Sequence, residues 1–502
     1  MEFNRTKNST RTFIFGVISR AITILGPFIT RTIIIYKLGT EYLGLSSLFT
    51  SVLSILNMSE LGIGSAITFC LYKPVAEDKR DEVRALLSLL RNLYRIIGVV
   101  ILIIGLVLMP FLPFFIKNGA PPDIDIYVLY AIYLINAAAS YLGFAYKAIL
   151  FNVYQRGDVT HKIEVTSEIV KYILQIVVLL LFANYYWFAA MLPLSTVLVT
   201  IANEIISKRM FPDLIPQGKV SEGIIRVIRK KVLYLSANSM AATLTNSIDS
   251  IIISGAIGLT ANALYGNYHY ISSSVLAIII IGYRALAPAI GNSVVSDSHD
   301  KIIEMFNSLF FIAFWVTSFC CSSMLCLYQP FIVLWVGEEN LLSFVVVIMV
   351  TAYFFSNSIR QLTGPFIGAL GLWNKTLPRQ IIAAIMNLIL DIIFVKRYGV
   401  AGIVFASFLT NSLFSLPYDF YVTYKYVLEE DIKNGVKKLL IGMTLTAILC
   451  CITYYICDYV TYDGLKGFLI KIVICALIPN ALILVFSYKT KEFKYIISHL
   501  FQ

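Results

Sequence analysis

Fourteen long apolar segments follow one another along almost the whole chain, separated by mostly short polar connections. A helix needs about 20 apolar residues to cross the hydrocarbon core of a bilayer, and most of these segments reach that length. Hydrophobic residues make up 58% of the 502 and charged residues only 14%. The sequence therefore predicts an all-α polytopic membrane protein of about 14 transmembrane helices. These helices are expected at residues 12–36, 43–72, 85–116, 124–150, 163–183, 186–206, 231–257, 263–291, 303–329, 341–368, 377–395, 399–421, 437–457 and 465–488.

Basic residues are unevenly distributed among the connections. About 27 of the 40 Lys and Arg fall in the two tails and in the connections that follow even-numbered segments, and about five fall in the opposite set. Because Lys and Arg accumulate on the cytoplasmic side of membrane proteins, both termini are predicted to be cytoplasmic. The net charge of +11 is thus explained by topology, and no nucleic-acid partner is expected.

The longest hydrophilic connection within the chain divides it into two halves. Residues 207–230 are rich in Lys and Arg and contain two prolines and a glycine, which interrupt any continuous helix. We predict a cytoplasmic linker here, between an N-terminal six-helix lobe at 1–206 and a C-terminal six-helix lobe at 231–421. Residues 422–502 then supply a cytoplasmic connection, an extra helix pair and a C-terminal tail.

The two halves carry related sequences. Residues 31–35 (Arg-Thr-Ile-Ile-Ile) and 249–253 (Asp-Ser-Ile-Ile-Ile) are each followed by two glycine-containing turns, and this alignment places Arg31 opposite Asp249. Symmetric transporters place their sites at such repeat interfaces. Two roles are open for Asp249: pairing with Arg31 to close the outer side, or titration as an ion-coupling group. Glu60 is a further candidate for gating or ion coupling.

Four arginines are the most costly residues in the apolar segments. Insertion near mid-bilayer costs about 2.5–3.5 kcal/mol each, so Arg20, Arg31, Arg284 and Arg360 together cost on the order of 10 kcal/mol. Guanidinium groups match phosphate oxygens bidentately. We therefore predict that these arginines bind a diphosphate in a hydrated cavity. The alternative is that they snorkel to lipid head groups, most readily Arg31, which is near a helix end.

Polar stripes on the predicted helices 2, 7 and 8 accompany these arginines. Such stripes either line a hydrated cavity or connect helices by hydrogen bonds. The predicted cavity-lining residues are Thr50, Ser54, Asn57, Asn238, Asn246, Tyr265, Tyr268 and Ser272.

Other ionisable groups receive structural interpretations. Glu168 and Lys171 are three residues apart on one helix and are expected to neutralise each other. Asp391 and Asp419 lie near predicted helix ends and fit capping or interfacial positions. The eight cysteines all lie within or at the ends of apolar segments without metal-ligand or redox spacing. We interpret them as small apolar residues, so no metal and no other cofactor is expected.

Three stretches carry a resemblance to a known family: 246–253 (NSIDSIII), 263–268 (ALYGNY) and 284–292 (RALAPAIGN). With them the chain resembles polysaccharide repeat-unit flippases of the O-antigen and capsule (Wzx) type, in the multidrug/oligosaccharidyl-lipid/polysaccharide exporter superfamily. The resemblance covers essentially the whole chain. It implies a bacterial inner-membrane protein that moves undecaprenyl-diphosphate-linked oligosaccharides from the inner to the outer leaflet by alternating access.

The resemblance also implies cavity arginines on helices 1 and 8, here Arg20, Arg31 and Arg284, whereas Arg360 has no clear family counterpart. Membrane lipids, a polysaccharide polymerase and glycosyltransferases are the expected partners. The chain is not expected to be an enzyme. Two alternatives stay open: a cation-coupled multidrug extruder of the same superfamily, and an integral-membrane polysaccharide polymerase or ligase. The basic cavity disfavours the first, and the short exoplasmic loops disfavour the second.

Overall fold

The structure, a computed structural model, describes residues 5–57, 62–462 and 464–500. Within these ranges the chain consists of helices joined by turns and short 3-10 or π segments, with no β-strand. This confirms the predicted all-α class. The α-helices are α1 (Arg5–Lys37), α2 (Thr40–Leu56), α3 (Ile63–Ala76), α4 (Arg80–Leu108), α5 (Ile126–Leu142), α6 (Ala148–Val153), α7 (Gly157–Phe182), α8 (Tyr185–Met210), α9 (Glu222–Ala256), α10 (Leu259–Ser296), α11 (His299–Val336), α12 (Phe344–Gln361), α13 (Thr363–Ala369), α14 (Trp373–Leu409), α15 (Leu416–Tyr426), α16 (Ile432–Asp458), α17 (Gly464–Ser487) and α18 (Lys491–Leu500).

The helices are those of a multi-pass membrane protein. Among the described residues, nine spans are long and apolar enough to cross a bilayer, or ten when the bent pair α5–α6 counts as one. The second predicted segment, 43–72, corresponds to the two shorter apolar helices α2 and α3. Every other predicted segment coincides with one long helix or with two consecutive ones, so the apolar pattern located the helices correctly.

The predicted segments 377–395 and 399–421 meet without a loop. Helix α14 contains the first and extends into the second as far as Leu409, and only Gly399, at φ 58° and ψ −135°, leaves helical geometry within it. A positive φ of this kind is inexpensive for glycine, so one residue can turn the chain between two helices. A π-helical segment, Thr410–Ser415, then joins α14 to α15. The second of the two predicted helices therefore contains a π segment within it.

The chain forms two compact units, Met1–Ala263 and Leu264–Gln502. In the first unit, α1 lies along α7, and a Cβ added at Gly26 would stand 2.2 Å from the Tyr172 ring. Glycine at this position therefore allows the two helices to approach closely. Helix α9 packs against α2 and α3 in the same unit.

Polar caps begin two helices of the first unit. The Asp125 carboxylate accepts hydrogen bonds from the backbone N–H groups of Tyr127 and Val128 at the start of α5. The Asn184 side chain accepts from the backbone N–H groups that open α8. Both caps satisfy donors that a helix leaves unpaired at its N-terminus.

In the second unit, α11 packs against α12, α16 and α17. Small polar side chains connect α11 to α16 at successive turns. Ser318 Oγ lies 2.7 Å from Thr446 Oγ1, and Ser322 Oγ lies 3.6 Å from Cys450 Sγ. Small residues of this kind allow close helix packing in a membrane, where apolar side chains alone give no preference for protein over lipid.

Candidate functional site

Arg20 and Arg31 lie on α1 in different surroundings. Arg20, near the middle of the helix, is exposed. Arg31 is half-buried and lies within electrostatic reach of Tyr185. The Tyr185 hydroxyl is 3.1 Å from that of Tyr133, which is 3.0 Å from Ser46 Oγ. Arg31 thus stands beside a buried chain of hydroxyl groups.

Arg284 lies on a sparsely packed part of α10. The residue is exposed, as are its neighbours Ala285 and Leu286. A Cβ added at Gly282 or Gly291 would meet nothing within 4 Å. Within an apolar helix of 38 residues, Arg284 is therefore not enclosed by protein in this conformation.

Arg360 belongs to a buried cluster of three charged groups in the second unit. Its Nη1 lies 3.4 Å from Asp419 Oδ2, and its Nη2 donates to Asn357 Oδ1 at 2.9 Å. On the other side, Arg379 Nε lies 3.0 Å from Asp419 Oδ1. Arg379 and Asp419 are 7% and 3% exposed, whereas the Arg360 side chain is 20% exposed. The three groups carry a surplus of one positive charge, and Arg360 is the most exposed of them.

This cluster corrects one prediction and adds one residue. Asp419 was expected to cap a helix or lie at an interface, but its carboxylate is enclosed between two guanidinium groups. Arg379 was not singled out from the sequence, because it lies near the start of a predicted helix next to a basic connection. Its burial depends on the packing of α12, α14 and α15, which no local pattern reports.

The predicted pairing of Glu168 with Lys171 is confirmed, at 2.6 Å.

The predicted polar stripe on α2 is partly described. Thr50 is exposed, and Ser54, half-buried, donates its hydroxyl to the Thr50 carbonyl at 2.7 Å. Asn57 is half-buried at the end of α2. Glu60 lies outside the described residues. Such serine bonds to the preceding turn satisfy the hydroxyl locally.

The predicted gating and cavity-lining residues of α9 and α10 whose side chains the structure describes are buried. Asp249 on α9 is 6% exposed. Asn238 and Asn246 lie on the same helix, but their side chains are outside the described part of the structure. Tyr265 and Ser272 on α10 are buried. Whether these residues contact a ligand stays a prediction, as does the pairing of Asp249 with Arg31.

Tyr268 is fully buried, and its hydroxyl has protein partners. It donates to Gln329 Oε1 at 3.0 Å and accepts from the backbone N–H of Leu342 at 3.2 Å. The ring stacks on Tyr328 with centroids 5.2 Å apart. In this conformation Tyr268 joins α10 to the end of α11, so a contact with sugar requires it to exchange these partners.

A close helix contact in the first unit involves Gly44. Asn262, 1% exposed, donates its amide to the Gly44 carbonyl at 3.0 Å, and its amide oxygen accepts from Ser250 Oγ at 2.9 Å. A Cβ at Gly44 would stand 2.0 Å from the Leu259 carbonyl oxygen. The start of α2 thus meets the junction of α9 and α10 backbone to backbone. The junction lies in the glycine-containing stretch that the two halves share, but no sequence pattern predicts its polar contacts.

The second unit also contains an apolar groove of about 320 Å³ between α11, α16 and α17. Phe310, Leu445 and Phe486 are among its lining residues, and Lys438 and Glu492 also line it. Lys438 donates to Asn307 Oδ1. The groove therefore combines apolar walls with an ammonium group.

No family model and no curated protein matches the sequence. The fold matches solved transporters. The lipid II flippase MurJ in an inward closed conformation gives a TM-score of 0.70 at 14% identity, covering 94% of this chain and 98% of that one. An inward-facing multidrug resistance MATE family transporter of the MOP superfamily gives 0.62 at 15% identity, with 82% and 97% covered.

A MOP superfamily transporter from Pyrococcus furiosus, described as having a binding pocket of reversed polarity, gives a TM-score of 0.55 at 14% identity, with 85% of this chain and 97% of that one covered. All three similarities extend over more than four-fifths of this chain. Identities this low establish the fold alone. The chain therefore has the fold of MOP-superfamily transporters.

Proposed function

We propose that this protein is a flippase of the Wzx type, which moves undecaprenyl-diphosphate-linked oligosaccharides from the inner to the outer leaflet for cell-surface polysaccharide synthesis. The observation that carries the proposal is the exposure of Arg20 and Arg284 inside apolar helices, in a fold similar to a lipid II flippase over 94% of the chain. In this proposal the protein resides in the bacterial inner membrane with both termini cytoplasmic.

The diphosphate binds to Arg20, Arg284 and Arg360. Each phosphate offers oxygens to a guanidinium fork, and these contacts are stronger in a low-dielectric site than in water. Arg360 contributes the surplus charge of its cluster, because Asp419 and Arg379 neutralise each other. Arg31 is a further contact or, with Asp249, a gating or ion-coupling pair.

The sugars occupy the space next to the polar stripes of α2, α9 and α10. Hydroxyl, amide and phenol groups hydrogen-bond sugar hydroxyls, and tyrosine rings add a stacking face. Thr50 is exposed and suited to this role in the present conformation. Tyr268 and Ser272 become available only after α10 moves.

The lipid tail lies in the apolar groove of α11, α16 and α17. This groove is lined by Phe310, Leu445 and Phe486, so its walls match a hydrocarbon chain in polarity. Lys438 also lines it, and its ammonium group suits a lipid-phosphate oxygen. The extra helix pair, α16 and α17, thus has a role that a drug transporter does not require.

Transport proceeds by alternating access, with the contact of α2 against the α9–α10 junction breaking and reforming. Asn262 donates one hydrogen bond across this contact, to the Gly44 carbonyl, while its bond from Ser250 stays within the α9–α10 junction. Breaking one such hydrogen bond costs about 1 kcal/mol, which a substrate with different affinity for the two states can supply. The lobes 1–206 and 231–421 are the bodies proposed to rock against each other.

The test is export of lipid-linked sugars by arginine variants. R20A and R284A are expected to abolish surface polysaccharide while the protein remains in the membrane at wild-type level. R209A is the matched control, because Arg209 is exposed at the end of α8, outside the proposed site. Wild-type export by both R20A and R284A would exclude the anion site.

A second candidate function, cation-coupled drug extrusion, is favoured by the TM-score of 0.62 to a multidrug resistance MATE family transporter. The basic character of the candidate site disfavours organic cations. Cells expressing the protein are expected to accumulate a fluorescent organic cation as cells without it do. Reduced accumulation, lost on substitution of Asp249, would favour the extruder.

A further inference from the structure

Three cysteines from three different helices converge in the second unit. Cys326 on α11, Cys457 on α16 and Cys475 on α17 have sulfur atoms that all lie within 4.8 Å of one another. They are 5%, 2% and 1% exposed, respectively. Their positions in the sequence are far apart, so the cluster exists only because these helices pack together.

We propose that this cluster is a binding site for a soft monovalent metal ion, Cu(I) or its chemical analogue Ag(I). Three sulfurs around one metal with bonds of about 2.3 Å lie about 4 Å apart in trigonal geometry. The sulfurs of Cys457 and Cys475 are 3.9 Å apart. A small adjustment of Cys326 completes the triangle, since all three pairs are already within 4.8 Å.

The donor set selects the ion. Thiolates prefer Cu(I) and Zn²⁺ to hard cations. Zn²⁺ takes four ligands in structural sites, whereas within the described part of the chain the cluster contains three cysteines and no His, Asp or Glu. Cu(I) is stable with two or three sulfurs, so the site is complete for Cu(I) and incomplete for Zn²⁺.

A basic group lies close to the cluster. Lys471, one helical turn before Cys475, acts electrostatically on both Cys457 and Cys475. Its ammonium group offsets negative charge that thiolate ligands bring to a bound ion. Near neutrality matters here because an uncompensated buried charge is costly. Leu327 and Ile474 pack against the cluster and shield it from solvent.

The cluster lies near one end of α16. Cys457 is next to the last residue of this helix, and the following Tyr459 and Tyr462 are 68% and 57% exposed. Only a short distance along the chain therefore separates the buried cluster from an exposed surface. A bound ion ties α11 to both helices of the extra pair, so metal stabilises the packing around the groove described above. This inference is independent of the proposed transport function.

The experiment uses the purified, reduced full-length protein in detergent, loaded anaerobically with Cu(I). A chromogenic Cu(I) chelator removes loosely bound copper, desalting separates the two, and the copper retained by the protein is measured. Wild type is expected to retain one copper per chain, and C326S, C457S and C475S each to lose it at least tenfold. C451S is the matched control, because Cys451 is exposed on the same helix as Cys457. Equal copper retention by wild type and all three cluster variants would overturn the site.

Measurements on the wild-type protein keep the test independent of variant folding. X-ray absorption at the copper edge is expected to show a shell of sulfur only, at about 2.3 Å. A shell of nitrogen or oxygen would contradict the proposal. Preferential retention of Zn²⁺ over Cu(I), or a Cys457–Cys475 disulfide that persists under reduction and prevents loading, would also overturn it.

Discussion

Replacing Asp419 with Asn is expected to destabilise the second unit much more than removing Arg360. D419N leaves the guanidinium groups of Arg360 and Arg379 together without the carboxylate that lies 3.4 and 3.0 Å from them. Removing one partner of a buried pair costs about 3–5 kcal/mol, because an uncompensated charge is left behind. Asp419 is 3% exposed, so water compensates little of this loss.

R360Q has the opposite outcome. It leaves Arg379 and Asp419 as a balanced pair at 3.0 Å, and the lost contact of 3.4 Å involves a side chain that is 20% exposed. Because Asp419 keeps one guanidinium partner and no charge is left uncompensated, we expect R360Q to lose less stability than D419N, even though its contact with Asn357 also changes. Export should nevertheless fail, because R360Q removes the surplus charge that binds phosphate.

The assay combines unfolding with export. The free energy of unfolding is measured in mixed micelles by titration with a denaturing detergent, and surface polysaccharide is measured in cells at matched protein levels. R379Q provides a comparison, because it also leaves one Arg–Asp pair. Equal stability of D419N and R360Q, or full export by R360Q, would refute the assignment of Arg360 as the functional member of the cluster.

Further predictions concern the helix contact, the groove and the topology. G44A should lower the free energy of unfolding by about 1–3 kcal/mol, because its Cβ would stand 2.0 Å from the Leu259 carbonyl oxygen. G223A is the control and should leave the free energy of unfolding unchanged, because a Cβ at Gly223 meets nothing within 4 Å. Equal melting curves for the two variants would contradict this contact. L445W should fill the groove and reduce export without loss of protein; unchanged export would remove the groove from the pathway. A reporter enzyme that is active only in the cytoplasm should be active when it is fused to either terminus.

The apolar helices could be predicted because the length of an apolar run is a local property of the sequence. Even the turn at Gly399 coincides with the first residue of a predicted segment, since glycine permits the positive φ that the turn adopts. The arginines inside these helices could be identified for the same reason, because the free energy of inserting an arginine depends mainly on its depth in the bilayer. Their grouping into one site was inferred from chemistry and stays a prediction.

Long-range contacts could not be predicted in this way. Asp419 resembles a capping residue locally, and its partner Arg360 is 59 residues away. The cysteines were interpreted as apolar residues because no two of Cys326, Cys457 and Cys475 have ligand spacing, although their sulfurs converge. Tyr268 is polar and fits a cavity stripe, yet its hydroxyl pairs with Gln329. Each case depends on which helices pack together, and one sequence does not contain that information.

Native mass spectrometry of the protein purified from cells that make surface polysaccharide tests the central claim most directly. Wild type should carry a ligand whose mass equals undecaprenyl diphosphate plus an oligosaccharide, and this ligand should be lost from R20A and R284A but kept by R209A. Binding of phospholipid alone by wild type, or the same sugar lipid on all three variants, would contradict the proposed diphosphate site.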